Sequence, residues 1–324
     1  MRAAIYTRYG PPDVVQVTEV EKPVPKDDEV LIKVRAASVN PLDWHFMRGT
    51  PYLVRLMAGL REPKDTRLGV DVAGQVERVG RNVTQFKAGD EVFGTCRGAF
   101  AEYACTPESK LFAKPGNVTF EQAASAPIAA FTALQGLRDT GQIQPGRKVL
   151  INGAAGGVGT FAVQIAKWFG ADVTGVCSTR NVDLVRSVGA DRGIDYTQEN
   201  FTKSGQHYDL FFDAVGNHSL FACRRVLNAK GIYVPAGGSA GRWMIGSLAR
   251  AITALVLSWF VSQRLAPFFL AKPSQTDLGV MHDLMKAGKV TPVIDRSYKL
   301  NEVPEAIRYL EQGHARGKVV ITLE

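Results

Sequence analysis

The sequence has few cysteines and no block of like charges, and each absence excludes a class of protein. Its 324 residues contain four cysteines, Cys96, Cys105, Cys177 and Cys223, and none is in Cys-x-x-Cys spacing. This pattern argues against a disulfide framework or a zinc ribbon and suits reduced thiols in a cytosol-like compartment. The net charge of +8 is spread along the chain, which favours anionic ligands and argues against nucleic acid as a partner.

Long hydrophobic runs and low-complexity linkers are also missing. The chain opens on Met1–Tyr6, which predicts a first strand rather than an export leader, so a cytoplasmic location is expected. One segment, 244–270, is strongly apolar, but its uninterrupted core is too short to span a bilayer, and Arg250 and Arg264 flank it. An amphipathic lid, a subunit contact in a homodimer and peripheral membrane contact are the alternatives. The interpretation we favour is a lid or hydrophobic substrate wall.

Hydrophobic patterning divides the chain into two regions with different predicted secondary structure. Its composition, 45% hydrophobic and 22% charged, is that of a folded globular protein, and its length suits two domains. Short strands bounded by turn residues are predicted in the first third, at 29–37, 74–79, 91–93 and 99–104. Strands that alternate with helices are predicted after residue 120, at 148–152, 172–177, 207–214 and 231–235. This alternation predicts an α/β fold class with a doubly wound parallel sheet.

A glycine-rich stretch, Gly153–Gly159, lies between a predicted strand, Lys148–Asn152, and residues with helical apolar spacing. In that context Gly156 lets the backbone approach a pyrophosphate, Gly159 lets the helix pack on the strand, and the helix N-terminus favours an anion. Ala154 takes the usual first-glycine position. A glycine-rich turn without a ligand is the alternative. The residues assigned to cofactor binding are Gly156, Gly157, Val158 and Gly159.

The next predicted strand ends in Cys177-Ser178-Thr179-Arg180-Asn181, without the acid that would hold the ribose hydroxyls of NAD. Arg180 can pair with the extra phosphate of NADP and Ser178 can donate a hydrogen bond to it, so the expected cofactor is NADPH. The alternative is that Arg180 is a solvated residue at the start of a helix.

Motifs spread from end to end carry a family resemblance. They are SVNPLD at 38–43, GVDVAG at 69–74, GAFAEY at 98–103, the glycine stretch, STRN at 178–181 and GHARGK at 313–318. Together they resemble the medium-chain dehydrogenase/reductase superfamily, in its zinc-independent quinone oxidoreductase branch, and most of all the mitochondrial reticulon-interacting and chloroplast-envelope members. The resemblance implies a GroES-like β-rich catalytic domain, 1–122 completed by 290–324. It also implies a Rossmann NADPH-binding domain, 123–289, with the active site in the cleft.

The resemblance also implies where a catalytic zinc would be held. Asn40, Val70 and Ile128 stand where zinc-dependent relatives have their ligands. None of these side chains supplies a thiolate or an imidazole, and the four-cysteine structural lobe is missing, so no metal site is expected. The chemistry that the resemblance then implies is hydride transfer from NADPH to a hydrophobic small molecule, a quinone or an α,β-unsaturated carbonyl.

Asn40 and Tyr52 are the candidate catalytic residues, as neutral donors to the carbonyl oxygen on which charge develops. The alternatives are that Asn40 caps a turn and that Tyr52 packs. Asp43 is expected to brace the loop. Because no side chain is asked to ionise, the rate should lack a steep titration between pH 6 and 8.

Further cofactor contacts follow from matched positions in the family. These are Thr132, Ala236 and Gly237 on the nicotinamide side, Tyr196 near the adenosine phosphate, and Arg316 and Lys318, which would reach phosphates from the tail. The alternative for Arg316 and Lys318 is that they are surface charges without a ligand. A second class of function stays open, a nucleotide-binding protein of little turnover that acts as a partner or membrane-peripheral subunit, because the fingerprint serves both.

Overall fold

The computed structural model describes residues 1–237, 245–267 and 269–323, with the backbone alone for Met57 and for 245–248. Contacts divide the chain into two units, one of Met1–Ala129 with Pro273–Glu324 and one of Ala130–Lys272. The sequence predicts these boundaries at 122/123 and 289/290. At the second boundary, the helix Gln275–Lys286 packs on the strand Leu111–Ala113 and so joins the first unit.

The strands of the described chain are β1 (Arg2–Tyr6), β2 (Val15–Glu19), β3 (Glu29–Val39), β4 (Asp71–Val79), β5 (Glu91–Thr95), β6 (Tyr103–Pro107), β7 (Leu111–Ala113), β8 (Lys148–Asn152), β9 (Asp172–Cys177), β10 (Arg192–Asp195), β11 (Tyr208–Asp213), β12 (Leu227–Pro235), β13 (Arg264–Leu265), β14 (Ile294–Lys299) and β15 (Lys318–Thr322). The α-helices are α1 (Pro41–Arg48), α2 (Leu53–Ala58), α3 (Phe120–Ala124), α4 (Pro127–Gln135), α5 (Gly157–Trp168), α6 (Val182–Ser187), α7 (Leu220–Arg225), α8 (Ile245–Ser258), α9 (Gln275–Lys286) and α10 (Val303–Glu311).

The first unit is built on a sheet in the order β14-β15-β3-β4-β5-β7, with β6 also paired to β3, and β1 and β2 form a separate two-stranded sheet. The β14–β15 pair is parallel, whereas β15, β4 and β6 all run antiparallel to β3. Most of β3 is buried, because it is the strand that carries the most neighbours. In the register of β15 on β3, Val319 pairs with Val39, which brings the start of β15 to the end of β3. The predicted β-rich fold class of this domain is confirmed, and β14 and β15 from the chain's tail belong to its sheet.

The second unit is a parallel sheet in the order β10-β9-β8-β11-β12-β13. Its central strands are short apolar runs with almost every residue buried, as expected for a sheet covered on both faces. The predicted α/β class with a doubly wound sheet is therefore confirmed, and β8 and β9 begin and end where the sequence placed them.

The apolar segment 244–270 contains α8, and residues 244 and 268 lie outside the described chain. In α8 the buried Ala254 and the half-buried Leu257 pack on the core of the second unit, whereas Leu255 and Val256 are exposed. Within the described residues, no helix has both the length and the apolar character needed to cross a membrane.

Candidate functional site

The first unit contains a buried cluster of polar side chains, which we call the Lys318 cluster: Ser38, Asn40, Asp43, Asp71 and Lys318. Strand and helix ends bring these residues together. Ser38 lies near the end of β3, Asn40 precedes α1 as its N-cap, and Asp71 and Lys318 begin β4 and β15.

Lys318 and Asn40 are joined directly, although 278 residues separate them. The ammonium group of Lys318 donates to Oδ1 of Asn40 at 2.6 Å and lies 3.6 Å from Oδ2 of Asp71. Nδ2 of Asn40 donates to Oδ2 of Asp71 at 2.9 Å and to the carbonyl oxygen of Ser38 at 3.3 Å. Both amide hydrogens of Asn40 are therefore engaged, and the residue is only 2% exposed.

These contacts change the interpretation of two sequence assignments. Asn40 was expected to donate to a substrate oxygen, but its amide group is used within the cluster. Lys318 was expected to reach a cofactor phosphate, but its ammonium group is 3.6 Å from a buried carboxylate, and its side chain is 4% exposed. In this geometry Asn40 positions the ammonium group, and Lys318 supplies the positive charge of the cluster.

Asp71 and Lys318 are paired in a site that disfavours charge on either. Burial raises the pKa of Asp71 and lowers that of Lys318, and each charge opposes the shift of the other. Oδ2 of Asp71 accepts from Ser38 Oγ at 2.9 Å, and Oδ1 accepts from the backbone N–H of Ile128 at 3.1 Å. Hydrogen bonds of this kind stabilise a carboxylate, so we treat the pair as ionised at neutral pH.

Asp43 braces the start of α1, as expected. Its Oδ2 accepts from the backbone N–H of Asn40 at 2.7 Å, in a capping box at the N-terminus of the helix. Burial raises the pKa of Asp43 to about 7, with a further contribution from the nearby Asp71 charge. A group that titrates near neutrality is thus bonded to Asn40, which the sequence analysis did not anticipate.

Substituting Asp43→Asn should flatten the dependence of stability on pH. Because the folded pKa of Asp43 lies above that of the unfolded chain, its contribution is fully present below about pH 4 and is lost as pH rises through about 7. Relative to Asp43→Asn, the wild type should lose on the order of 3 kcal/mol of unfolding free energy over that range. Urea unfolding of both proteins across pH 4 to 8 measures the difference, and parallel curves would contradict the assignment.

Tyr52 and Arg316 stay predictions, and the structure gives their surroundings. Tyr52 precedes α2 as its N-cap, is half-buried, and has the guanidinium group of Arg55 4.9 Å from its ring centroid. Arg316 is exposed in the turn before β15, where its backbone N–H donates to Asp295 Oδ2 at 2.9 Å.

The positions matched to zinc ligands hold Asn40, Val70 and Ile128, whose side chains bind metal poorly or not at all. Over the described ranges, no group of three or more His, Cys, Asp or Glu side chains is arranged to hold a metal ion. The absence of zinc is a prediction to be measured.

In the second unit, the glycine stretch forms the turn between β8 and α5. Gly153 has a φ of 80°, and Gly156 is the N-cap of α5 with no acid in the first turn of the helix. A Cβ on Gly159 would lie 2.0 Å from the carbonyl oxygen of Gly153, whereas a Cβ on Gly156 would meet only that oxygen, at 3.4 Å. Gly159 therefore permits the helix–strand approach, and Gly156 leaves open space above the first N–H groups of the helix. These residues fit a pyrophosphate.

The end of β9 carries the predicted phosphate contacts. Ser178 caps a short 3-10 turn, Thr179–Asn181, and its Oγ accepts from Asn181 Nδ2 at 3.1 Å. Arg180 is exposed in this turn. Oδ1 of Asn181 is buried and has no hydrogen-bond partner among the described residues. An unsatisfied acceptor therefore lies where a ligand is expected.

An acid also lies near this turn, brought by the neighbouring strand. Asp195 ends β10, and its Oδ1 accepts from the backbone N–H and the hydroxyl of Thr197 at 2.9 and 2.8 Å. A hydrogen bond from Thr179 lowers the pKa of Asp195, so the carboxylate is charged at neutral pH. The next residue, Tyr196, is 53% exposed, and its role at the adenosine phosphate stays a prediction.

Asp213, which no sequence motif singles out, organises the carboxyl edge of the sheet. It ends β11, its Oδ1 accepts from Asn152 Nδ2 at 2.9 Å, and its Oδ2 accepts from the Tyr233 hydroxyl at 2.9 Å. The backbone carbonyl of Asp213 accepts from the N–H groups of Ala236 and Gly237, the residues predicted on the nicotinamide side. The sequence signal that could have identified Asp213 is its position at the end of a buried apolar strand.

The remaining contacts of this carboxylate come from outside the strands. Its Oδ1 also accepts from the backbone N–H of Gly216 at 2.8 Å, and its Oδ2 accepts from Arg250 Nη2, on α8, at 3.2 Å. Thr132 is half-buried in α4, and its place beside the nicotinamide stays a prediction.

Comparison with known proteins gives relatives that match this chain along almost its whole length. Residues 26–116 match the alcohol dehydrogenase GroES-like domain, and residues 188–321 match the zinc-binding dehydrogenase family. The chain is 35% identical to the chloroplastic NADPH-dependent alkenal/one oxidoreductase of Arabidopsis thaliana, over 99% of this chain and 79% of that protein. It is 34% identical to the chloroplast envelope quinone oxidoreductase homolog of the same plant, over 99% and 98% of the two chains.

Among solved structures, the quinone oxidoreductase from Coxiella burnetii superposes with a TM-score of 0.86 at 30% identity, covering 100% of this chain and 99% of that one. Sequence and structure thus agree along the whole length. The chain belongs to the medium-chain dehydrogenase/reductase superfamily, in its quinone oxidoreductase-like branch.

Proposed function

We propose that the protein is a zinc-independent, NADPH-dependent oxidoreductase that transfers hydride to a quinone or an α,β-unsaturated carbonyl. The observation that carries the proposal is the glycine turn at the start of α5, together with the acid-free end of β9. The name of the Arabidopsis alkenal/one oxidoreductase supports the same cofactor and acceptor class, and favours an enzyme over a low-turnover nucleotide-binding protein.

NADPH would supply the hydride when it is bound, and water would supply the proton that completes the reduction. The chain's residues have to hold the cofactor and stabilise charge on the acceptor. The first N–H groups of α5, at Gly157, Val158 and Gly159, bind the pyrophosphate. Tyr52 is the donor proposed for the acceptor's carbonyl oxygen. The ammonium group of Lys318 is a fixed positive charge in a water-poor site, and its field favours negative charge on that oxygen.

The proposal is tested by NADPH turnover with a panel of enones and quinones, in the presence of a chelator. We expect activity to persist, and label from the nicotinamide C4 position to appear on the β-carbon of an enone. Activity confined to simple alcohols, or one zinc per chain in elemental analysis, would contradict the proposal.

Substituting Arg180→Ala should weaken NADPH binding by roughly ten- to a hundredfold and leave NADH binding nearly unchanged. The reason is that a charge-assisted phosphate contact contributes about 1.5–3 kcal/mol. Titration of both cofactors measures the change, with Arg186→Ala on α6 as a control that removes a nearby exposed cation. A wild type that binds both cofactors equally well would show that Arg180 has no such role.

The proposal places the enzyme in the cytoplasm, in keeping with the scattered thiols, none of which forms a disulfide in the described chain. Its substrate is a hydrophobic small molecule. Homodimer formation and peripheral membrane contact through 244–270 are separate from this catalytic proposal, because hydride transfer requires neither.

A further inference from the structure

One long stretch of the sequence, most of it in the second unit, contains no acidic residue. From residue 214 to residue 276 the sequence has no aspartate or glutamate, but it has seven lysines and arginines. The acids that bound this stretch are both buried, Asp213 beneath the carboxyl edge of the sheet and Asp277 in the first turn of α9. Surface formed by the described residues of this stretch can therefore present positive charge without negative charge of its own.

The same stretch presents an apolar surface. One face of α8 packs on the core through Ala254 and Leu257, but the opposite face is apolar too. Its side chains are about half exposed, at Ile252, Leu255 and Val256. The turn that follows carries Trp259, 87% exposed, and Phe260, 78% exposed. Exposed apolar side chains grouped on one helix face and in the turn after it are typical of a surface that binds an apolar partner.

Three cations lie on segments that are joined to α8 or to the turn after it. The Ser262 hydroxyl donates to the carbonyl oxygen of Ala229, which joins the turn after α8 to the residue before Lys230. Arg264 follows in β13, and Arg225 ends α7, which packs on α8. All three cations are exposed, and none forms an ion pair with another part of the described chain.

We propose that this surface docks the protein on a bilayer that contains anionic phospholipid. Tryptophan and phenylalanine insert at the boundary of headgroups and acyl chains, and neighbouring arginines and lysines contact the lipid phosphates. A second copy of the chain would bring the same positive charges against each other, which disfavours a dimer through this face. The docking goes beyond the proposed function, because it requires no turnover.

The test uses the full-length protein with vesicles of phosphatidylcholine alone or mixed with phosphatidylserine. We expect sedimentation with the mixed vesicles, a blue shift of tryptophan fluorescence that Trp259→Phe abolishes, and release at high salt. The double variant Trp259→Ser with Phe260→Ser should partition at least tenfold more weakly. Neutralising Arg225, Lys230 and Arg264 together with glutamine should weaken partition by tens- to a hundredfold.

The control is the double variant Val24→Ser with Leu60→Ser, which removes exposed apolar side chains of the first unit and should bind vesicles as the wild type does. NADPH turnover of every variant shows that it is folded and tests the enzyme independently. The proposal is overturned by equal binding to neutral vesicles, by absence of binding, or by a dimer that the aromatic double variant dissociates. If the wild type does not bind vesicles and that variant loses turnover, the surface is a substrate lid, and the proposal is overturned as well.

Discussion

Replacing Lys318 with methionine should reduce the free energy of unfolding by roughly 3–5 kcal/mol, because it leaves a buried charge without its partner. The side chain of Asp71 is fully buried, and the ammonium group lies 3.6 Å from its Oδ2. Methionine fills a similar volume, so the main loss is electrostatic. The amide oxygen of Asn40 loses its donor as well, and a buried acceptor without a partner adds to the cost.

The matched control is the double variant Lys318→Met with Asp71→Asn, which removes both charges. It should recover at least half of the lost stability, since a buried ion pair costs most when only one partner is removed. Urea unfolding of the wild type, the two single variants and the double variant completes the cycle. If the single variant Lys318→Met is as stable as the wild type, the pair is not ionised as we infer. In turnover assays the double variant should stay slow even where it folds, because the proposed positive charge is gone.

Substituting Gly159→Ala should abolish measurable NADPH binding and destabilise the second unit, whereas Gly156→Ala should weaken binding and leave the fold intact. A Cβ on Gly159 would lie 2.0 Å from a backbone oxygen and 2.8 Å from backbone atoms of Ala154, so the helix must move away from the strand. At Gly156 the nearest atom would be 3.4 Å away, and the new methyl group would occupy only the space proposed for the pyrophosphate.

Thermal unfolding and NADPH titration of the two variants separate these effects. We expect a lowered melting temperature for Gly159→Ala and a wild-type one for Gly156→Ala, with an affinity loss of at least tenfold in the latter. Gly146→Ala is not a suitable control, because its φ of 75° would strain any side chain. Gly116→Ala, which has no positive φ and no atom within 4 Å of the added Cβ, is a suitable one. Unchanged NADPH affinity in Gly156→Ala would place the pyrophosphate elsewhere.

Local patterns were enough for the parallel sheet and the glycine turn. The three central residues of Lys148–Asn152 are apolar, and the glycines that follow favour a tight turn, so consecutive residues indicate both the strand and the turn. The end of β9 is likewise predicted from consecutive residues. For such elements the structure adds geometry, such as the unpartnered Oδ1 of Asn181, to an assignment that the sequence already allowed.

The Lys318 cluster could not be predicted in the same way. Nothing near Lys318 indicates that its partners are Asn40 and Asp71, because the contact depends on the register of β15 against β3. The sequence therefore suggested a phosphate for a lysine that the fold pairs with a carboxylate. The pKa of Asp43, raised to about 7, depends on burial, which the sequence does not record.

The first unit is built from two separate stretches of the chain, and this determines the order in which the two units can fold. All of residues 130–272 are synthesised before Lys318, so the second unit can fold while the chain is still on the ribosome. During that interval Asn40 and Asp71 belong to a unit that lacks β15, and the ammonium group of Lys318 is not yet there to pair with them. The nascent chain should therefore acquire its nucleotide-binding unit first, and the polar interior of the other unit only when its closing strand arrives.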